Sequence, residues 1–316
     1  MNKNLKIAFF SEAGKSRGLG HLVRSYTIYQ KFKAVGINSS FFLDSDIDLN
    51  YKFSNLNYFT WDKFYLKESY DIIFIDSYEA KLEIYQIVSN SCKIAVYLDD
   101  YKRLKYPKGV IINFSPEAAI VFYKEKKSIY TYLLGLEYIP IREVFLKKKP
   151  LKKEQLFIML GGSDTLNLSE KISICLDNID IYKVIVVNNI DTAKQLKKYQ
   201  NIKILYQPTD EELITEMMLS SIAISTASMT LYELSYLNIP TILITASKNQ
   251  EIGIKHLLKN KMAAFGLNIK SQDWQYQLII YLKEIRNKEQ KYIAANKIDG
   301  KGAKRIVDKI LLMEQI

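Results

Sequence analysis

The stretch KIAFFSEAGKSRGLGHLVRSYTIYQKFKAV, residues 6–35, decides the fold class of this chain. It opens with a short apolar run at Lys6–Phe10, passes through a glycine-bearing turn, and continues as a predicted helix over Gly20–Val35. Apolar side chains recur in that helix at spacings of three and four, which predicts one buried face: Leu22, Tyr26, Tyr29 and Phe32. A strand, a tight turn and a helix in succession are the unit from which parallel sheets are built.

The same alternation continues along the chain and predicts an α/β fold. In the first half, strands are predicted at Lys6–Phe10, Ser40–Leu43, Asp71–Asp76, Lys93–Leu98 and Val110–Asn113. In the second half, strands are predicted at Leu156–Leu160, Lys183–Val187, Ile202–Tyr206, Ile222–Ser225 and Thr241–Thr245. Helices between these later strands are predicted at Leu168–Leu176, Glu211–Leu219 and Leu231–Leu237.

The lysine cluster around Pro150, at 147–153, predicts a boundary between two domains, because like charges beside a proline do not pack into a core. An anion-binding patch is the alternative for these lysines. With 316 residues the chain exceeds the usual size of one domain. We therefore predict Rossmann-like domains at 1–147 and 154–316, with C-terminal helices packing back onto the body. Two such domains would turn the carboxyl ends of both sheets toward a central cleft.

The charge, the cysteines and the apolar runs of the chain limit the classes of function that it can have. Lys and Arg exceed Asp and Glu by 45 to 34, a net charge of +11, and the lysines are spread along the chain. This pattern favours a solvated basic surface over an anionic-ligand or membrane-surface bias, and it does not favour nucleic acid as a partner. Cys92 and Cys175 belong to no metal-binding pattern, so buried free thiols are expected. With no signal-like start and no long uncharged apolar run, a cytoplasmic protein without stable membrane insertion is expected.

His21 is the leading candidate for chemistry. It stands at the first turn of the predicted helix, directly after Gly18 and Gly20, where backbone amides favour an anion. An imidazole there is suited to take a proton from water or a hydroxyl. Alternatively, Gly18 and Gly20 serve only to form the turn. The alternative for His21 is that it caps the helix or packs against its neighbours. The other histidine, His256, fits a structural or surface role.

Three strand-end loops of the second half are candidate ligand contacts. Gly162 and Ser163 follow the first strand of that half, and a plain strand-to-helix turn, which Asn167 could cap, would use the same residues. Ser228, Thr230 and Glu233 follow a later strand; their small hydroxyls suit a pyrophosphate and the carboxylate suits ribose hydroxyls, unless the loop only caps its helix. Asn249 and Gln250 follow the strand after that.

Carboxylates also end strands of the first half. Asp76-Ser77-Tyr78 and Asp99-Asp100 are placed to reach a cleft at that edge. Asp99 and Asp100 lack an evident third ligand, so no metal site is predicted.

Taken together, these motifs resemble the nucleotide-sugar hydrolases of pseudaminic acid biosynthesis. The chain also looks like spore-coat polysaccharide proteins and, more distantly, MurG-like glycosyltransferases of the GT-B fold. The matching stretches span nearly the whole chain: GLGHLVR at 18–24, IDSY at 75–78, LDD at 98–100, IPIREVF at 139–145, LGGSD at 160–164, ASMTLYE at 227–233, KNQE at 248–251 and DGKGAKRIV at 299–307.

The resemblance implies removal of UDP from UDP-2,4-diacetamido-2,4,6-trideoxy-β-L-altropyranose, without metal or cofactor, in a pathway that serves surface glycans or flagellin. It implies His21 as general base and Tyr78 as a helper near the sugar. Substrate contacts are implied in the matched motifs: Gly18, Gly20, Arg24, Arg142, Gly162, Ser163, Ser228, Thr230, Glu233, Asn249 and Gln250. The implied partners are the UDP-sugar and enzymes of the same pathway.

The chain also departs from the pattern of that family. Glu12 stands where the family often has Asp, and Ser77 stands where a histidine often precedes the tyrosine. Both changes bear on which sugar fits. The alternative activity is a GT-B glycosyltransferase with a UDP-sugar donor, and a third interpretation is a non-catalytic module that binds nucleotide sugars.

Overall fold

The computed structural model of the chain describes residues 5–147, 151–161, 164, 167–245, 249–287 and 298–315, with backbone only at 249–253. The chain divides into two compact units, each built on its own parallel sheet with interleaved helices. The first comprises the described residues within Met1–Arg142 and Asp299–Ile316, and the second those within Glu143–Ile298. The predicted α/β fold is confirmed.

The sheet of the first unit has seven strands among its described residues, in the order β3-β2-β1-β4-β5-β6-β7. The order reverses between β1 and β4, which is the topological switch point where α/β folds bind ligands. The bounds are β1 (Lys6–Ala13), β2 (Asn38–Ser45), β3 (Leu56–Phe59), β4 (Ile72–Asp76), β5 (Ile94–Leu98), β6 (Gly109–Asn113) and β7 (Tyr130–Leu134).

The second unit repeats the arrangement. Its described strands number six, in the order β10-β9-β8-β11-β12-β13, so the switch point lies between β8 and β11. The bounds are β8 (Lys153–Met159), β9 (Tyr182–Val187), β10 (Ile202–Tyr206), β11 (Ser220–Thr226), β12 (Thr241–Thr245) and β13 (Phe265–Asn268).

Helices connect the strands within each unit. Their bounds are α1 (Gly20–Ala34), α2 (Leu82–Ser91), α3 (Ala118–Val121), α4 (Glu143–Leu146), α5 (Leu168–Cys175), α6 (Ile190–Leu196), α7 (Asp210–Leu219), α8 (Met229–Tyr236), α9 (Asn249–Lys259), α10 (Trp274–Asn287) and α11 (Gly302–Glu314), with short 3₁₀ turns at Trp61–Lys63 and Leu136–Tyr138.

Helix α1 covers one face of the first sheet, and its predicted buried face is confirmed. Leu22 and Phe32 are fully buried, and Tyr26 and Tyr29 nearly so. On β1, Phe9 packs against this helix and stacks on Phe74 of β4 with ring centroids 4.3 Å apart. The apolar packing fixes the start of α1 above the carboxyl end of β1.

The final helix, α11, belongs to the first unit, where it packs against α1 and the Leu136–Tyr138 turn. A side chain at Gly302 would meet the carbonyl of Ile139, since a Cβ there would lie 2.1 Å from that oxygen. Glycine is therefore required for this close approach. The sequence-based boundaries at 1–147 and 154–316 differ from these units, because they assign 299–315 to the second domain.

Among the described residues, no helix is long and apolar enough to cross a membrane. Cys92 and Cys175 are both free thiols, but they are half-buried and not fully buried as expected. Burial raises the pKa of the Cys92 thiol to about 11.

Candidate functional site

A buried cluster of charged side chains lies at the carboxyl edge of the first sheet. Gly14 and Gly18 close the loop after β1 by exchanging two backbone hydrogen bonds, of 3.1 and 2.8 Å. Gly18 adopts a φ of +69°, which an L side chain rarely takes. Gly20 then opens α1, and a Cβ there would meet nothing within 4 Å. The loop thus delivers His21 to the first turn of the helix, as predicted.

His21 pairs with Asp76, the last residue of β4. Its Nδ1 lies 2.6 Å from Asp76 Oδ1, and both side chains are buried. Arg24 Nη2 also lies 3.1 Å from Nδ1, but the closer neighbour is the Asp76 carboxylate, which when ionised only accepts hydrogen bonds. In the neutral imidazole Nδ1 therefore carries the proton and Nε2 holds the lone pair. Among the described residues none hydrogen-bonds Nε2, while 9% of the side chain stays exposed. The geometry of a histidine base oriented by a carboxylate is therefore present.

Asp76 is held in its ionised form. Arg24 donates to it twice, from Nε to Oδ2 at 2.7 Å and from Nη2 to Oδ1 at 2.6 Å, and the Ser25 hydroxyl donates to Oδ2 at 2.7 Å. Burial alone would raise the pKa of Asp76, but the charge of Arg24 and the hydrogen bonds from Arg24 and His21 outweigh it and hold that pKa far below its ordinary value. Sequence reasoning noted Asp76 only as a strand-end carboxylate; its pairing with His21 depends on β1 and β4 being neighbours.

Arg24 bridges two carboxylates. Besides its bonds to Asp76, its Nη1 donates to Asp100 Oδ1 at 2.7 Å. Burial lowers the pKa of Arg24, but Asp100 and Asp76 together raise it well above its ordinary value. All three guanidinium nitrogens therefore bond within this cluster, and only 8% of the side chain is exposed. The predicted contact of Arg24 with substrate stays a prediction.

Tyr78 lies beside the imidazole. Its ring meets His21 edge-on with centroids 4.4 Å apart, and its hydroxyl donates to Asp100. Burial first, and then the charge of Asp100, raise the pKa of Tyr78 far above its ordinary value. The phenol therefore stays protonated and is suited to donate a hydrogen bond, not to act as a base.

The two positions that depart from the family pattern contact each other. The Glu12 carboxylate is buried and accepts hydrogen bonds from the Ser77 hydroxyl, the backbone N–H of Tyr78 at 2.8 Å and the indole of Trp61 at 2.9 Å. The Ser77 hydroxyl oxygen also accepts hydrogen bonds from the backbone N–H groups of Glu79 and Ala80. Glu12 thus holds the loop that carries Tyr78, a link that could not be predicted from the sequence.

The Asp99 carboxylate serves the loop after β5. It accepts from the N–H groups of Lys102 and Arg103 and from the hydroxyls of Tyr106 and Tyr123, at 2.6 to 2.9 Å. Asp99 and Asp100 are therefore each engaged in separate hydrogen bonds. In the described part of the chain, no group of three or more His, Cys, Asp or Glu side chains is arranged around a common point as metal ligands would be.

In the second unit, described residues follow the two strands of the β8/β11 switch point. Gly161 follows β8 with a φ of +90°, and Gly162 and Ser163 lie outside the described residues. The Asp164 carboxylate accepts hydrogen bonds from the backbone N–H groups of Leu168 and Ser169, the first two residues of α5, with N···O distances of 2.7 Å each. Asn167 stands at the cap position without a capping side-chain bond, so the expectation that it caps α5 is wrong and Asp164 takes that role.

The loop after β11 presents hydroxyls toward the same edge. Ser228 precedes α8, and its buried Oγ has no hydrogen-bond partner in the described structure. Thr230 contacts Met159 of β8 through its hydroxyl, at 3.5 Å from the sulfur. Glu233 lies in the second turn of α8 and is 2% exposed. Thr230 thus stands near the end of β8, and the predicted ligand contacts of Ser228, Thr230 and Glu233 stay predictions.

For Arg142, Asn249 and Gln250 the structure gives a position in the fold but no contact that tests their predicted role. Arg142 is half-buried at the end of the first unit, just before α4. Asn249 and Gln250 are the first residues of α9, but their side chains lie outside the described part. Their predicted contacts therefore stay predictions.

Similarity to known proteins supports the resemblance drawn from the motifs. No protein-family model matches the chain. It is 25% identical over 259 residues to a Helicobacter pylori protein named pseudaminic acid cytidylyltransferase and UDP-2,4-diacetamido-2,4,6-trideoxy-β-L-altropyranose hydrolase, a match covering 80% of the chain and 47% of that protein. It is 24% identical over 233 residues to the Campylobacter jejuni UDP-2,4-diacetamido-2,4,6-trideoxy-β-L-altropyranose hydrolase, covering 68% of the chain and 81% of that protein. The chain spans about half the length of the first relative.

Solved structures define the fold. The chain matches Acinetobacter baumannii MurG with a TM-score of 0.60 and 14% identity over 98% of the chain and 100% of that protein. It matches the glycotransferase of kitacinnamycin with a TM-score of 0.66 and 11% identity, covering 97% of the chain and 98% of that protein. Medicago truncatula UGT71G1, solved with UDP-glucose, gives a TM-score of 0.60 and 11% identity over 98% of the chain and 99% of that protein. The fold is that of GT-B glycosyltransferases, as the motifs predicted.

Proposed function

We propose that the chain is a hydrolase that releases UDP from UDP-2,4-diacetamido-2,4,6-trideoxy-β-L-altropyranose or a close relative of that sugar nucleotide. The observation that carries the proposal is the His21–Asp76 pair at the β1/β4 switch point, with Nε2 left unpaired among the described residues. The names of the curated relatives from Helicobacter pylori and Campylobacter jejuni support the substrate and the pathway.

The proposed reaction is a single displacement. Nε2 of His21 takes a proton from water as the water oxygen bonds to the anomeric carbon. The bond from that carbon to the phosphate oxygen breaks, UDP leaves with the electron pair, and the configuration inverts. Asp76 stabilises the imidazolium that forms, and it holds Nδ1–H so that Nε2 faces the water. Arg24 is proposed to position Asp76 through its two hydrogen bonds to that carboxylate.

Tyr78, Gly18, Gly20 and Arg142 are proposed to contact the sugar. Of these, Tyr78 has the clearest geometry, because its ring lies edge-on beside the imidazole and 46% of the residue is exposed.

The second unit is proposed to bind UDP at its own switch point. The unpaired hydroxyl of Ser228 supports a phosphate contact there, since a buried donor without a partner is costly unless a ligand supplies one. The proposed contacts are Gly162, Ser163, Ser228, Thr230, Glu233, Asn249 and Gln250. Backbone amides and helix N-termini at such a loop stabilise the charge of the leaving UDP, so the scheme requires no metal ion.

The experiment is UDP release by the purified chain from the UDP-sugar alone, with His21→Ala as the test variant. The chain offers a matched control in its other histidine, as His256→Ala. We expect His21→Ala to lose at least about 100-fold in kcat and His256→Ala to keep wild-type activity. In ¹⁸O water the label should enter the sugar. A label on the phosphate, or equal activity in both variants, would contradict the scheme.

A GT-B glycosyltransferase is the second candidate, and the fold match favours it. The same base would then deprotonate an acceptor hydroxyl in place of water. UDP release would be slow with donor alone and would accelerate with an acceptor, the opposite of the hydrolase result. A binding module, the third interpretation, would bind the UDP-sugar tightly while His21→Ala changed no measured conversion.

A further inference from the structure

A pocket of about 410 Å³ opens on the first sheet, away from the His21 cluster. Its walls include Phe10, Phe42, Phe59, Tyr70, Lys63 and Lys67, and we call it the aromatic pocket. Phe10 follows Phe9, which packs on α1, and successive strand residues point to opposite faces. The pocket therefore lies on the face that α1 does not cover. Its volume falls within the range of small-molecule sites.

Aromatic rings form the floor. Phe10 and Phe42 stack with centroids 4.7 Å apart, Phe59 meets Phe10 edge-on at 5.4 Å, and Tyr70 meets Phe42 edge-on at 6.3 Å. Phe42 and Phe59 stay partly exposed although they belong to strands of the sheet. Tyr65, also in the wall, is 65% exposed. These flat apolar surfaces suit the face of a ring.

Positive charge borders the floor. The ammonium groups of Lys63 and Lys67 are exposed, and within the described ranges neither forms a salt bridge. Glu68, which follows Lys67 in the sequence, pairs with Lys6 at 2.8 Å, and Asp44, which accepts the backbone N–H of Trp61, pairs with Arg17 at 3.0 Å. Asp62 does not line the pocket. The pocket thus offers two cations without a counter-ion of its own.

We propose that the aromatic pocket binds a small ring-bearing anion. The ring lies on Phe42 and Phe59, which stay partly exposed, and Lys63 and Lys67 contact its carboxylate, sulfonate or phosphate group. An aromatic acid and an acidic sugar share this chemistry, because both present a flat or CH-lined face and an anionic group. The proposal does not depend on the reaction at His21.

The probe is 1-anilinonaphthalene-8-sulfonate, followed by its fluorescence, with the full-length chain. The neutral N-phenyl-1-naphthylamine is the same ring system without the sulfonate. The test variant is Lys63→Ser with Lys67→Ser. The matched control is Lys283→Ser with Lys309→Ser, which removes the same charge from exposed positions outside the pocket. Circular dichroism melts establish that both variants fold.

We expect one saturable sulfonate site per chain, a loss of about fivefold in its affinity in the test variant, and no loss in the control. The neutral probe should bind both variants alike, and Tyr65→Ala should weaken both probes. Displacement of the sulfonate by 4-hydroxybenzoate would identify an aromatic acid, and displacement by glucuronate an acidic sugar. Displacement by neither, displacement by UDP, or equal affinity loss in test and control variants would overturn the proposal.

Discussion

Replacing Asp76 by Asn tests the site most directly. The change is nearly isosteric, yet Asp76 accepts four hydrogen bonds from three side chains: His21, Arg24 and Ser25. An amide has one acceptor atom and one donor group, so it cannot serve all of them. If its NH₂ faces His21, the imidazole proton moves to Nε2 and the base is lost.

The expected magnitudes follow from these contacts. Loss of the correct tautomer and of its counter-charge should lower kcat by about 10³-fold or more. Removing one charged partner of a buried ion pair lowers the free energy of unfolding by about 3–5 kcal/mol. Arg24 keeps its bond to Asp100 at 2.7 Å, so a loss in the free energy of unfolding at the lower end, about 3 kcal/mol, is expected.

The assay is steady-state UDP release at a temperature where the variant is folded, beside urea unfolding. Asp99→Asn is the matched control. Asp99 directly follows β5, the neighbour of β4, and is 3% exposed. It accepts hydrogen bonds from tyrosine hydroxyls and backbone N–H groups but forms none with His21. It should lose stability and keep most activity per folded molecule. If Asp76→Asn kept more than about a tenth of wild-type kcat, or if both variants lost activity equally, the His21–Asp76 argument would fail.

Three other substitutions probe separate features. Tyr78→Phe should lower kcat/KM by about tenfold without moving the alkaline limb of the pH–rate profile, because the raised pKa keeps this phenol protonated; a shifted limb would give the phenol a titrating role. Gly302→Ala, whose Cβ would lie 2.1 Å from the Ile139 oxygen, should lower the free energy of unfolding by about 2 kcal/mol or more in urea titrations. Gly18→Ala should cost about 1 kcal/mol because of its positive φ, whereas Gly20→Ala should cost nothing measurable; equal effects would refute the backbone argument.

The ten strands expected from the sequence are all present, while three observed strands were missed. The missed strands are β3, β7 and β13, and each lies at the edge of its sheet. Central strands are buried on both faces and therefore appear as continuous apolar runs. An edge strand such as β3, with residues Asn57 and Tyr58 exposed, carries no such run. Its place is decided by pairing with β2, a contact that local sequence does not encode.

The candidate site was predictable in part for a similar reason. His21 could be located because its loop, strand and helix are contiguous in sequence. Its partner Asp76 lies 55 residues away, and the Trp61–Glu12 bond joins positions 49 apart. Strand order brings such residues together, and the order becomes known only with the sheet. The hydrogen bond between Arg24 and Asp100 could not be predicted from the sequence for the same reason.

The bridging of Arg24 between Asp76 and Asp100 sets the charge balance around His21. One guanidinium faces two ionised carboxylates, so this group of three carries a surplus of one negative charge before the imidazole reacts. When His21 accepts a proton, the surplus is cancelled and the four side chains together become neutral. The base therefore gains its positive charge beside a counter-charge already fixed in place, and the surroundings need little rearrangement as the proton arrives.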